Sequence, residues 1–213
     1  MQFGKTEIII VKYNQGELEN ECVKRVLEYT NPKTYNLTVY SNYPHNENLP
    51  VIFNRCIERS DCEFICLLNS DAFVEKGWLP KLLEHLKYGV GAVAPVTNNA
   101  TEQMQSRGTG IVEAEVMLSG FCLLFRKAVW KEVGGFDEHI KLYCDDDLFS
   151  WELKRRGYKL IIVKSVFVEH KMRVTVDSIW DRKTSDEMMA HSKKYYEFKT
   201  NRKWQVKYND DLE

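Results

Sequence analysis

Apolar positions along this chain follow two alternating rhythms: short β-branched runs, and stretches where apolar residues recur every three or four positions. Glu7-Ile8-Ile9-Ile10-Val11 reads as a buried strand ending at Tyr13-Asn14, and Leu18, Cys22, Val26 and Tyr29 then outline one face of a helix. Leu37 to Tyr40 predicts a second strand before the turn-rich Ser41 to Asn46, and Ile52, Phe53, Cys56 and Ile57 predict a second helix. Phe64 to Leu68 predicts a third strand, broken by Asn69-Ser70-Asp71. Trp78, Leu79, Leu82, Leu83 and Leu86 mark an amphipathic helix, and Ala92 to Val96 a fourth strand.

Strands alternating with helices imply βαβ units and an α/β fold: a central, mostly parallel sheet flanked by helices. Sheets of this kind bind ligands beyond the carboxyl ends of their strands. Tyr13-Asn14, Ser41-Asn42 and Asn69-Ser70-Asp71 are therefore expected to meet at one cleft.

The second half reads differently. Thr97 to Glu115 is polar, with Asn98-Asn99 and Gly108-Thr109-Gly110, and is long enough for a functional loop, expected to become ordered when ligand is present. Gly120 to Phe125 predicts a strand, Ala128 to Val133 a helix stopped by Gly134-Gly135, and Leu148 to Arg156 a helix with Gly157 past its end. Lys159 to Val163 and Val166 to Val168 predict the last strands. Thr184-Ser185-Asp186-Glu187 has capping-box spacing and predicts a helix start there, running through Tyr195. The expectation is one domain over residues 1–213 with a helical C-terminal extension from 171.

Composition narrows the function classes. Thirty basic and thirty-one acidic side chains leave a net charge of -1, without the basic excess of a general nucleic-acid binder. The longest uncharged apolar-rich stretch, Val116 to Phe125, falls far short of the ~20 residues of a membrane-spanning helix. No charged segment followed by a long apolar one opens the chain, so a cytoplasmic protein without a transmembrane segment is expected. The cysteines lie mostly in apolar segments and read as reduced thiols. No Gly-x-Ser-x-Gly elbow, His-Glu-x-x-His pair, Walker loop or Gly-x-Gly-x-x-Gly fingerprint is present.

Acidic positions carry the candidate chemistry. Asp71 follows an apolar strand at the ligand edge, as a turn or helix cap or as a ligand for a hard divalent cation. Asp145-Asp146-Asp147 reads either as an acidic helix start favoured by the macrodipole or as a site holding a general base. His170 follows the last apolar strand directly after Glu169.

Four segments together resemble the family 2 glycosyltransferases, of GT-A fold and rhamnosyltransferase-like. They are Ile8 to Asn14; Leu67 to Val74 with Gly77-Trp78-Leu79; Ser119 to Arg126 with Val133-Gly134-Gly135-Phe136-Asp137-Glu138; and Asp145-Asp146-Asp147-Leu148 with Arg156-Gly157-Tyr158. The resemblance implies a metal-dependent inverting transferase that moves a sugar from a UDP- or dTDP-linked donor, with rhamnose among the expected sugars, to a hydroxyl of a glycan or glycoprotein acceptor. Asp71 and His170 would hold Mn²⁺ or Mg²⁺, and Asp146, or its neighbour Asp145, would be the base. Tyr13, Asn14, Asn42, Asn54, Asn69, Ser70 and Gly120 would serve the donor. Residues 1–96 become the nucleotide-sugar half, and 97–170 the acceptor and catalytic half. Only one carboxylate stands in Asn69-Ser70-Asp71, and Ser41 replaces the family's usual aspartate. A nucleotide-sugar-binding module with little catalysis is therefore the alternative. The aromatics Trp180, Tyr195, Tyr196, Phe198 and Trp204 read as helix-packing residues before a sugar platform.

Overall fold

A computed structural model describes residues 4–204 except 15, 99–101, 172–175 and 177–178. In its first half, β1 (Thr6–Lys12), α1 (Glu17–Tyr29), β2 (Tyr35–Ser41), α2 (Leu49–Arg59) and β3 (Phe64–Leu68) alternate as the apolar rhythm predicts. The short β4 (Ala72–Phe73), α3 (Trp78–Leu83) and β5 (Val90–Val96) follow. Then come β6 (Ile111–Glu113), β7 (Cys122–Arg126), α4 (Lys127–Val133), α5 (Asp145–Arg155), β8 (Lys159–Phe167), β9 (Glu169–His170) and α6 (Arg182–Thr200).

Among the described residues the main sheet has the order β2-β1-β3-β7-β5-β8-β6. β1 pairs in parallel with β2 and β3, and β5 with β8; β7 lies antiparallel between β3 and β5, and β6 antiparallel on β8. Most strands thus point one way, so β1 and β3 end on the same edge.

Strand alternation divides the core. Ile8, Ile10, Cys66, Leu68, Cys122 and Leu124 face α1 and α3. Ile9, Val11, Ile65, Leu67, Leu123 and Phe125 face α2, α4 and α5. On that second side Phe136, from the turn after α4, stacks on Phe149 of α5 with ring centroids 4.4 Å apart. Phe125 packs against both rings at 6.1 and 5.2 Å. Aromatic pairs of this kind contribute about 0.5–1.5 kcal/mol each beyond their area. They tie the Gly134-Gly135-Phe136 turn to the helix that opens with the three aspartates.

Three expectations are corrected. The C-terminal helix begins at Arg182, not at the Thr184 capping box, because Asp181 is its cap: Asp181 Oδ1 accepts the Thr184 amide at 3.0 Å. Lys159–Val163 and Val166–Val168 are largely one strand, β8, followed by the separate β9. The polar stretch after β5 carries a strand of its own, β6, paired antiparallel to β8.

Candidate active site

β4 and β9 make a two-residue antiparallel ladder in which Ala72 faces His170 and Phe73 faces Glu169. This ladder brings His170 to Asp71 across a hundred residues of chain. His170 Nε2 stands 3.4 Å from Asp71 Oδ1, and Asn69 Nδ2 lies 3.4 Å from the same ring nitrogen. Asp71 is 2% exposed, and its Oδ1 has no hydrogen-bond partner. Asn98 holds the His170 backbone at both ends, accepting its amide at 2.8 Å and donating to its carbonyl at 3.1 Å. Phe121 stacks on the imidazole with centroids 5.0 Å apart.

Asp145 and Asp146 open α5 on another wall of the same cavity, whose volume is about 280 Å³. Asp146 Oδ2 accepts the Gly120 amide at 2.7 Å, and its Oδ1 accepts the Asp147 amide at 3.0 Å. A Cβ at position 120 would lie 3.4 Å from both Asp146 Cβ and Oδ2, in contact with the carboxylate. Burial pushes all three carboxyls up; like charge from Asp146 adds to the rise of Asp145, to about 7, and of Asp147, while the amides that Asp146 accepts oppose its own rise. Asp147 turns away from the cavity. It is buried, and its Oδ2 accepts Trp204 Nε1 at 3.3 Å.

Of the residues expected to serve a donor, Tyr13, Asn69, Ser70 and Gly120 line the cavity together with Asp71, Asp145, Asp146 and His170. Burial pushes the Tyr13 phenol up to about 12, so it stays neutral. Asn42 is fully buried behind it, bonded to the Tyr13 hydroxyl and, through both side-chain ends, to the Glu47 backbone at 2.8 and 2.9 Å. Asn14 lies outside the cavity, exposed at φ 70°, and shapes the turn. Asn54 is a correction. It lies away from the cavity because its polar atoms are taken by the turn after α4. Its Oδ1 accepts Phe136 N at 2.9 Å and Trp130 Nε1 at 3.2 Å, and its Nδ2 donates to Phe136 O at 2.8 Å.

Sequence reasoning missed three residues, of which Gln103 and Glu19 are buried and Asn98 is exposed. Asn98 fixes His170, Gln103 binds the Ser119 amide, and Glu19 accepts the Tyr13 amide. Their signal was a lone polar residue in a loop or a first helical turn, and such residues mostly face solvent. The C-terminal aromatics divide. Trp180 lines the cavity; Tyr196 is buried against α5, where Trp204 also packs; Phe198 is exposed.

A buried carboxylate and imidazole on one wall thus face a backbone-held carboxylate on another. Residues 52–185, more than half of the chain, match the family described as glycosyl transferase family 21. The chain belongs to this family.

Beside it stands the N-acetylglucosaminyl-diphospho-decaprenol L-rhamnosyltransferase of Mycobacterium tuberculosis, 35% identical over 86 residues, which are 40% of this chain and 26% of that protein. The match therefore spans about a quarter of the relative's length. Among solved structures, the mannosyltransferase PcManGT from Pyrobaculum calidifontis in complex with GDP-Man and Mn²⁺ superposes with a TM-score of 0.70 at 15% identity. That superposition covers 96% of this chain and 66% of that one. GalNAc-T7 with UDP, GalNAc and Mn²⁺ gives 0.68 at 14% identity, covering 94% of this chain and 55% of that one. These likenesses show that the family 21 chain has the glycosyltransferase fold its motifs resemble. Among the described residues no helix is long and apolar enough to cross a membrane. Nor do three His, Cys, Asp or Glu side chains converge on one metal position among them.

Proposed function

We propose that this chain carries out metal-dependent, inverting glycosyl transfer from a UDP- or dTDP-linked sugar to a hydroxyl of a glycan or glycoprotein. One observation carries the reading: the Asp71–His170 pair and the Asp145–Asp146 pair line one cavity from different elements. The orphaned buried Oδ1 of Asp71, beside an imidazole nitrogen, suits a hard divalent cation, and a cation bound to phosphates often takes only one or two protein ligands. Asp71 and His170 would hold Mn²⁺ or Mg²⁺, which supplies charge neutralisation on the diphosphate leaving group when bound.

Asp146 acts as the base. It accepts the proton of the acceptor hydroxyl as that oxygen bonds to the anomeric carbon and the bond to the diphosphate breaks. The amides of Gly120 and Asp147 fix its carboxylate during this single displacement. The charge of Asp146 in turn raises the carboxyl of its neighbour Asp145. Tyr13 lies against the nucleoside, and Asn69 and Ser70 face the phosphates. Residues 1–96 hold the donor, and 97–170 supply the base and the acceptor side, with Trp180, Met188 and Met189 lending an apolar wall. Rhamnose is the favoured sugar, supported by the name of the mycobacterial relative.

Asp146→Asn tests the assignment. Donor affinity stays within about twofold by calorimetry, and turnover falls by about 10²–10⁴, the usual contribution of a general base. Unchanged turnover refutes it. The second reading, a nucleotide-sugar-binding module, rests on the single carboxylate at Asp71. It would appear as a native protein that binds donor but turns over no faster than Asp146→Asn.

A further inference from the structure

Residues 115–120 lead into β7 without regular structure, yet six successive amides each reach a side-chain acceptor. Glu115, Val116 and Met117 donate to the Glu102 carboxylate at 2.6, 2.7 and 2.9 Å. Leu118 donates to Ser150 Oγ at 3.1 Å, Ser119 to Gln103 Oε1 at 2.6 Å, and Gly120 to Asp146 Oδ2 at 2.7 Å. Irregular backbone has no strand or helix ladder to take its amides, and from Met117 onward it is buried or half-buried, so these side chains define the path of the segment.

Gln103 sits at the decisive link. It is fully buried and does not line the cavity. Its Oε1 takes the Ser119 amide, its Nε2 reaches the carbonyl of Pro95 in β5 at 3.4 Å, and its own carbonyl accepts the Thr97 amide at 3.0 Å. Ser119 in turn bonds the Asp146 carboxyl through its hydroxyl, and the next amide, Gly120, bonds it again. One side chain thus ties the end of β5 to the peptide unit that grips Asp146.

We infer that Gln103 is a positioning residue for glycosyl transfer, holding Ser119 and Gly120 so that the Asp146 carboxylate keeps its direction. The inference rests on the reading of Asp146 as the base. Both ends of the amide are needed: an acceptor for Ser119 and a donor for Pro95. Glutamate supplies the first alone, leucine neither, and asparagine is too short to span both. A displacement of about 1 Å at a reacting group can cost about 10²-fold in rate.

The test follows release of UDP or dTDP from UDP- and dTDP-hexoses, with water as acceptor, alongside pH titration of ¹³C-labelled aspartate carboxyls. Gln103→Leu should lower kcat about 10- to 100-fold with donor KM within about twofold, and should move the Asp146 titration. Gln103→Glu, which keeps the Ser119 acceptor but loses the donor to Pro95, should recover only part of kcat, again with donor KM within about twofold. Asp145 and Asp147 on the same helix, and Tyr13, Asp71, His170, Lys141, Arg182 and Asp186 on the other walls, are unchanged in both variants. If Gln103→Leu does not fold, Gln103→Asn is read the same way.

A folded Gln103 variant with wild-type kcat and an unmoved Asp146 titration overturns the inference. If Asp146→Asn also keeps wild-type turnover, the reading of the base has failed instead.

Discussion

His170 Nε2 stands 3.4 Å from Asp71 Oδ1, an oxygen that is buried and accepts no hydrogen bond. An unpartnered buried acceptor costs about 1–3 kcal/mol, a cost a bound cation would remove. Asp71→Asn and His170→Ala should each weaken UDP binding in Mn²⁺ by about tenfold or more, measured by calorimetry. Asn98→Ala, which frees the His170 backbone, should weaken it less. Wild-type affinity in Asp71→Asn would contradict the role of the pair.

The pH dependence follows from the raised aspartates. Asp145 titrates near 7, with Asp146 also raised, and the base must be ionised to accept a proton. Turnover should therefore rise with pH along a limb that lies above the ordinary carboxylate range. The Asp145 titration itself should fall in Asp146→Asn, which removes the like charge beside it. Stability runs the other way. A carboxyl whose folded pKa lies above its unfolded value of about 3.9 favours the fold at low pH, and that contribution is lost as pH rises toward 7. Denaturant melts at pH 5 and pH 8 without metal should show this loss. A rate independent of pH from 5 to 9 would contradict the account.

Asn54 offers a separation of stability from binding. Its bonds to Phe136 and Trp130 hold the Gly134-Gly135-Phe136 turn. Asn54→Ala should lower stability by about 1–3 kcal/mol and leave donor affinity unchanged, as read by melts and calorimetry. A folded variant that loses donor binding would return Asn54 to the donor site.

Gly91 tests the packing beneath the site. A Cβ there would lie 2.8 Å from Tyr158 Cβ and 2.9 Å from Leu153 Cδ2, where α5 meets the sheet. Gly91→Ala should cost about 1–3 kcal/mol by forcing these apart. A wild-type Tm would show that α5 shifts freely.

Much of the architecture was legible in the chain because buried strands and amphipathic helices carry their own periodicity. β3 was expected at Phe64 to Leu68 and found there, and α1 and α4 begin within a residue of their first expected positions. The antiparallel course of β7 was not legible, since an apolar run such as Cys122 to Phe125 has no direction of its own. Nor was the β4–β9 ladder, two residues on each side, which depends on pairing across the chain. The site divided along the same line. Asp71, Asp146 and His170 stand at the ends of elements that periodicity marks. Asn98, Gln103 and Glu19 act through long-range bonds to backbone, which leave no local pattern. Asn54 differs for a related reason: its side chain is taken by backbone of the turn after α4, a long-range partner that the helix pattern around it does not reveal.

The most direct measurement is a calorimetric titration of the wild-type chain with UDP-, dTDP- and GDP-sugars, each in Mn²⁺ and in chelator. The account predicts binding by a UDP- or dTDP-sugar that Mn²⁺ strengthens at least tenfold and that Asp71→Asn brings down to the chelator level. Binding of equal strength with and without the metal, or none by any donor, would contradict it.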